Sequence, residues 1–77
     1  MKQVTIYTTP SCVYCKMAKA FFLQNNVAYT EKDVVTDMKA REEMVQKSGQ
    51  LGVPVIDVQG TIIVGFDQDA LVHALGM

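Results

Sequence analysis

The chain has 77 residues, of which 49% are hydrophobic and 19% charged, with a net charge of −1 at neutral pH. That length and composition fit one folded domain over 1–77 with a modest core, and exclude a disordered chain. The near-neutral balance excludes the electrostatic footprint of a nucleic-acid or acidic-membrane binder, and no apolar run is long enough to span a bilayer. The opening MKQVTIYTT is polar-interrupted and lacks the apolar core of a signal peptide, so the expected compartment is the cytoplasm.

Val4–Thr8 alternates and is β-branched, which predicts a first strand, and Thr9-Pro10-Ser11 breaks it. A helix is expected over Val13–Gln24. Tyr14, Met17, Ala18 and Phe21 share one core-facing stripe, and Phe22 lies on a second line with Cys15 and Ala18. Asn25-Asn26 is its stop. Residues 27–34 read as a strand whose Glu31, Lys32 and Asp33 suit an edge position. Thr36 is the expected N-cap of a second helix ending near Ser48, with Gly49 after it. Met38, Met44 and Val45 are expected in the core, and Asp37, Lys39, Arg41, Glu42, Glu43 and Lys47 on a solvated face. Residues 53–58 are nearly continuous apolar sequence, as a central strand requires. Gln59-Gly60 supplies a two-residue turn into a hairpin partner, Thr61–Val64. Asp67 caps a last helix in which Ala70, Leu71, Ala74 and Leu75 face the core. The order β-α-β-α-β-β-α, with a right-handed parallel first unit and an antiparallel closing hairpin, predicts an α/β fold. Its compact form is a mixed four-stranded sheet with helices on both faces.

The only cysteines form Cys12-Val13-Tyr14-Cys15, between the first strand and the first helix. Strand, C-x-x-C, helix is the layout of a dithiol–disulfide redox site. Positions i and i+3 of a helix hold their Cβ atoms about 5–6 Å apart, so a small tightening reaches the roughly 3.5–4.5 Å of a disulfide. At the helix N-terminus Cys12 faces unpaired N–H groups and the positive end of the dipole, which favours its thiolate. A disulfide closing so short a loop constrains little of the unfolded chain, so its purpose is not stability. Structural zinc needs four ligands, and two cysteines with one histidine, His73, do not supply them. An inert buried pair conflicts with the flanking Pro10-Ser11 and Lys16. Cys12 is therefore the expected nucleophile and Cys15 the deeper, resolving thiol. Lys16 and Lys19 read as exposed helix lysines and His73 as a surface residue. Tyr14 either covers the disulfide and meets substrate or packs along the helix.

These features resemble the glutaredoxin-like branch of the thioredoxin superfamily over nearly the whole chain. The likeness rests on Ile6-Tyr7-Thr8, on the C-x-x-C opening a helix, on Gly52-Val53-Pro54 and on Gly65-Phe66-Asp67. It is similar to small prokaryotic glutaredoxin-like proteins and to NrdH-type redoxins, which donate electrons to ribonucleotide reductase. The resemblance implies the thioredoxin fold, a cis peptide before Pro54, and a monomeric thiol–disulfide oxidoreductase needing no cofactor beyond the Cys12–Cys15 disulfide. It implies substrate contacts at Val53, through its backbone, at Pro54 beside Cys12, and at Asp67, which could meet a substrate ammonium while capping its helix. The partners implied are disulfide-containing proteins, ribonucleotide reductase among them, with a thioredoxin-reductase-type flavoenzyme or glutathione as reductant. Three departures from glutathione-dependent members bear on that choice. Thr8 stands where they often carry a basic residue, Val64 where they have glycine, and the acidic pair is reduced to Asp67 followed by Gln68. The alternative is a module holding an iron–sulfur cluster between two chains through Cys12. Val13, in place of the proline common in this motif, leaves that alternative open.

Overall fold

In the computed structural model, which describes residues 3–77, the β-branched run Val4–Thr8 forms strand β1, around which the sheet is organised. Helix α1 (Val13–Gln24), strand β2 (Thr30–Asp33), helix α2 (Met38–Ser48), strands β3 (Val55–Val58) and β4 (Thr61–Val64), and helix α3 (Gln68–Leu75) follow. The sheet order is β2-β1-β3-β4, with β1 parallel to β2 and both other pairings antiparallel. A parallel neighbour needs a crossover, and α1 supplies it. The charged β2 is an edge strand and the apolar β3 a central one, as their compositions require. This is the thioredoxin fold.

Alternation along β1 sends its side chains into two layers. Val4 and Ile6 pack with Ala18, Phe21 and Phe22 of α1 and Leu71 of α3. Tyr7 packs on the opposite face with Ala40 and Met44 of α2 and with Val55. Ring contacts extend the first layer, with Phe21 at 6.0 Å from Phe66 and Phe22 at 5.2 Å from Tyr29. The β3–β4 turn places Gln59 at φ 50° and Gly60 at φ 98°, the paired positive values of a tight hairpin.

Several expectations shift. Strand β2 begins at Thr30 rather than 27, because the Val27 N–H closes α1 on the Phe22 carbonyl at 2.8 Å. Strand β3 begins at Val55 rather than 53, because proline has no N–H for a ladder. The cap of α2 is Asp37, not Thr36: its Oδ1 accepts the Ala40 N–H at 3.1 Å. Asp33 decides this by holding the Val35 N–H on its carboxylate and the Asp37 N–H on its carbonyl, which uses Thr36 in the turn. On α1 the buried line is Cys15, Ala18, Phe21 and Phe22, whereas Tyr14 and Met17 are 61% and 45% exposed. Met38 is likewise exposed.

Two residues of the face expected to be solvated, Glu43 and Lys47, also reach the sheet, with Lys47 still exposed. The Tyr7 hydroxyl donates to Glu43 at 3.3 Å and accepts from Lys47 at 3.0 Å. Lys47 also donates to Asp57 at 2.8 Å, and Lys32 to Glu43 at 3.1 Å. Tyr7 is a fully buried side chain, so its hydroxyl needs these partners. Burial alone would raise the Asp57 carboxyl. The hydrogen bonds from Lys47 and from the Gly60 N–H outweigh burial and hold it below the usual aspartate range. The native value lies below the unfolded one of about 3.9, so this stabilisation is complete well above pH 4 and is lost as pH falls through the native value. Asp57→Asn is therefore expected to cost about 1 kcal/mol at pH 7 and to converge with wild type once the pH falls below the native value. Urea unfolding across pH 2–8 checks this, and a constant difference at every pH would refute it.

Candidate active site

Strand β1 ends at Thr8, and the loop Thr9-Pro10-Ser11 carries the chain to Cys12, the N-cap of α1. Cys12 keeps an extended backbone, φ −85° and ψ 113°, as a cap residue does. Its sulfur accepts the Cys15 N–H at 3.1 Å, filling the position that a serine or aspartate oxygen takes at other helix starts. Negative charge on that sulfur is stabilised by the N–H and by the helix dipole, and no acidic residue in the first turn opposes it. Cys12 and Cys15 form a disulfide with Cα atoms 5.2 Å apart. Cys12 is half-buried, whereas Cys15, facing the sheet, is 1% exposed.

The sheet register brings the other expected residues to the same end. Tyr7 pairs with Val55 in the antiparallel β1–β3 ladder, so the residues beyond Tyr7 run opposite Val53-Pro54. The Val53–Pro54 peptide is cis. Pro54 is buried, and its carbonyl accepts the Gly65 N–H at 2.8 Å, which ties in the segment leading to Asp67. Gly65 has φ 81°, a value that favours glycine. Asp67 is exposed and caps α3, its Oδ1 accepting the Ala70 N–H at 3.1 Å. Val53 is half-buried, and no hydrogen bond among the described residues engages its main-chain N–H or C=O. Tyr14, in the first turn of α1, is 61% exposed and takes no part in the core.

Thr8 does not face this site. It is 2% exposed, and its hydroxyl donates to Glu31 at 2.8 Å, on the carboxylate oxygen that Lys19 holds at 2.9 Å. The bonds from Lys19 and then Thr8 lower the Glu31 carboxyl below its ordinary range. Thr8 supplies no cationic group for a ligand carboxylate and instead serves an α1–β2 tie. Lys19 is engaged rather than free. Sequence reading missed this trio because only the parallel β1–β2 register, with Ile6 opposite Glu31, brings residues 8, 19 and 31 together. His73 lies exposed in the last turn of α3, away from the cysteines' end of the sheet. Among the described residues, no group of three or more histidine, cysteine or acidic side chains could hold a metal ion. Among the same residues, no helix is long and apolar enough to cross a membrane.

A thioredoxin fold with a half-buried cysteine capping a helix, bonded to a buried one a turn later, defines a thiol–disulfide oxidoreductase-like domain. The chain belongs to the glutaredoxin family, whose model matches residues 4–63. It is 46% identical over 65 residues to a glutaredoxin-like 8.6 kDa protein in the rubredoxin operon of Clostridium pasteurianum, covering 84% of this chain and 87% of that one. It is 36% identical over 76 residues to glutaredoxin 3 of Escherichia coli, covering 99% and 92%. The crystal structure of the thioredoxin-like protein BC3987 superposes with a TM-score of 0.87 at 32% identity, covering 92% of this chain and 97% of that one. The glutaredoxin-like NrdH-redoxin of Escherichia coli shares the fold, with a TM-score of 0.81 at 24% identity and 92% of each chain covered. Nothing in these matches supports the cluster-bridging alternative.

Proposed function

We propose that this protein reduces disulfides in protein partners through a relay between Cys12 and Cys15. The observation that carries this reading is the Cys15 N–H directed at the half-buried Cys12 sulfur while Cys15 itself is buried. In the reduced state the Cys12 thiolate attacks one sulfur of a partner disulfide. A bond forms between Cys12 and that sulfur, the partner disulfide breaks, and the leaving sulfur takes the electron pair and then a proton. Cys15 next gives up its proton and attacks the Cys12 sulfur. The second partner thiol departs, and the two electrons of the dithiol have passed to the partner. An external thiol system restores the dithiol.

Val53 offers the partner a free N–H and C=O, a short strand addition beside the reacting sulfurs. Pro54 fixes the direction of that backbone, Tyr14 covers the partner from the α1 side, and Asp67 pairs with a cationic group on it. The protein needs no cofactor beyond its own disulfide, and it works as a cytoplasmic monomer on proteins such as ribonucleotide reductase.

The direct test mixes the reduced protein with an equimolar disulfide-bonded polypeptide such as insulin and follows both partners by mass. The expected result is a gain of two hydrogens by the substrate, matched by a loss of two from the protein. A substrate left oxidised under conditions where dithiothreitol reduces it would sink the reading.

A further inference from the structure

Gly52 lies in the exposed segment between α2 and β3, yet both of its main-chain groups are taken. Its N–H donates to Oε1 of Gln50 at 2.6 Å, and its C=O accepts from Nε2 of the same side chain at 3.0 Å. Nε2 also donates to the hydroxyl of Ser48, the last residue of α2, at 3.3 Å, and that hydroxyl donates to the Met44 carbonyl at 2.7 Å. The Gln50 amide thus fastens Gly52 to the end of α2. Gly52 has no positive φ, so the glycine supplies space rather than a left-handed conformation. A Cβ at position 52 would stand 2.6 Å from Oε1 and drive the amide away.

Satisfying the Gly52 main chain does not explain this clip, because water serves exposed N–H and C=O groups equally well. What the clip adds is order, which main chain otherwise gives up as conformational entropy on binding. The residue that follows is Val53. On its far side Pro54 is buried, and the Pro54 carbonyl accepts the Gly65 N–H at 2.8 Å. The Val53 side chain packs against the layer of Tyr7, Met44 and Val55. Val53 is therefore anchored before, after and through its side chain, while its own N–H and C=O have no hydrogen bond among the described residues. Free main-chain groups held between two fixed points suit an extended chain that adds to them as a strand does. An edge ordered in advance loses less entropy when the partner arrives.

We propose that Gln50 is a positioning residue whose side-chain amide, clipped to the Gly52 main chain, holds the Val53 N–H and C=O ready for the main chain of the disulfide-bearing polypeptide. This rests on the reading that partners dock on Val53, and it adds the residue that keeps that edge in shape. Gln50 touches neither the substrate nor the reacting sulfurs. It raises the rate by reducing the ordering needed to bring a polypeptide disulfide onto Cys12. A disulfide without peptide groups gains nothing from it.

The test gives each reduced protein two substrates. One is a short peptide whose central cysteine is joined by a disulfide to 2-mercaptoethanol; the other is bis(2-hydroxyethyl) disulfide, which has no main chain. In both cases the protein loses two hydrogens and two thiols are released, so intact mass gives the second-order rate. The peptide rate is then divided by the small-disulfide rate. Gln50→Ala is expected to lower that ratio about tenfold, the size of ordering one residue's main chain. Gly52→Ala, which displaces the amide without altering it, is expected to lower the ratio as far, and the double variant no further. Because the readout is a ratio within one protein, neither partial unfolding nor a change in the Cys12 thiolate imitates it. An unchanged ratio in Gln50→Ala, or losses that add in the double variant, would overturn this inference and leave the dithiol relay standing. A wild-type ratio near one would overturn the Val53 contact together with this inference. Failure of the wild-type protein to reduce either substrate would overturn the relay as well.

Discussion

Cys12→Ser is expected to abolish disulfide reduction, while Cys15→Ser is expected to turn the protein into a trap. The asymmetry follows from two environments three residues apart. The Cys12 sulfur is half-buried, caps α1 and accepts the Cys15 N–H at 3.1 Å, so its thiolate is both stabilised and reachable. A serine hydroxyl at position 12 remains protonated and does not attack a disulfide. Cys15 is 1% exposed in the core line of α1, where no partner disulfide can reach it. In the Cys15→Ser variant the first exchange proceeds and the second has no nucleophile, so the mixed disulfide through Cys12 persists. Intact-mass measurement after exposure to a disulfide peptide should show one peptide adduct on Cys15→Ser and none on Cys12→Ser. Turnover should fall below detection in Cys12→Ser and to the slow rate set by external thiol in Cys15→Ser. The reverse pattern of adducts would exchange the two roles.

Glutathione is expected to be the poorer reductant, by at least about tenfold in kcat/KM against a thioredoxin-reductase-type flavoenzyme. Thr8, buried against Glu31, gives a glutathione carboxylate no basic anchor, and Val64 and Asp67 act in the same direction. Val64 ends β4 with its side chain 52% exposed, next to the Gly65–Pro54 tie that leads to Asp67. A glycine there would let a small ligand approach the backbone, and a valine does not. Asp67 could meet a glutathione ammonium, but one of its carboxylate oxygens already caps α3, and it is exposed. An exposed ion pair contributes about 0–1 kcal/mol, or up to roughly fivefold in affinity, which does not offset the obstruction. Steady-state kinetics with each reductant on a common disulfide substrate decide the matter. Val64→Gly should raise the glutathione rate severalfold. A higher kcat/KM with glutathione for the wild-type protein would refute the ordering.

What the sequence determined by itself was local. Alternation placed β1 to the residue and the Gln59-Gly60 turn placed β4, and the spacing of the cysteines put one at the cap of α1 and the other a turn in. Gly49 at φ 73° ends α2, and Gln59-Gly60 turns the hairpin, because those conformations depend on neighbours a few bonds away. The chemistry of Cys12 was legible for the same reason, since a helix N-terminus and a C-x-x-C are both short-range features. Tertiary structure decided everything that depends on phase or register. Helical period says that Tyr14, Met17 and Phe21 share a face and that Cys15, Ala18 and Phe22 share another. Only the contact with β1 and α3 selects the second face for burial and leaves Tyr14 and Met17 in solvent. Asp37 displaced Thr36 as a cap because Asp33 folded the preceding turn around itself. Val53, Pro54 and Asp67 were identified by resemblance, and the β1–β3 register and the Gly65–Pro54 bond bring them to the end of the sheet from which the chain leads to Cys12. Thr8 shows the limit most directly: the sequence marked it only as the absence of a basic residue, and the pleat of β1 turned its side chain inward to Glu31. A strand sends successive side chains to opposite faces, and which face meets water is fixed only when the layers close over it.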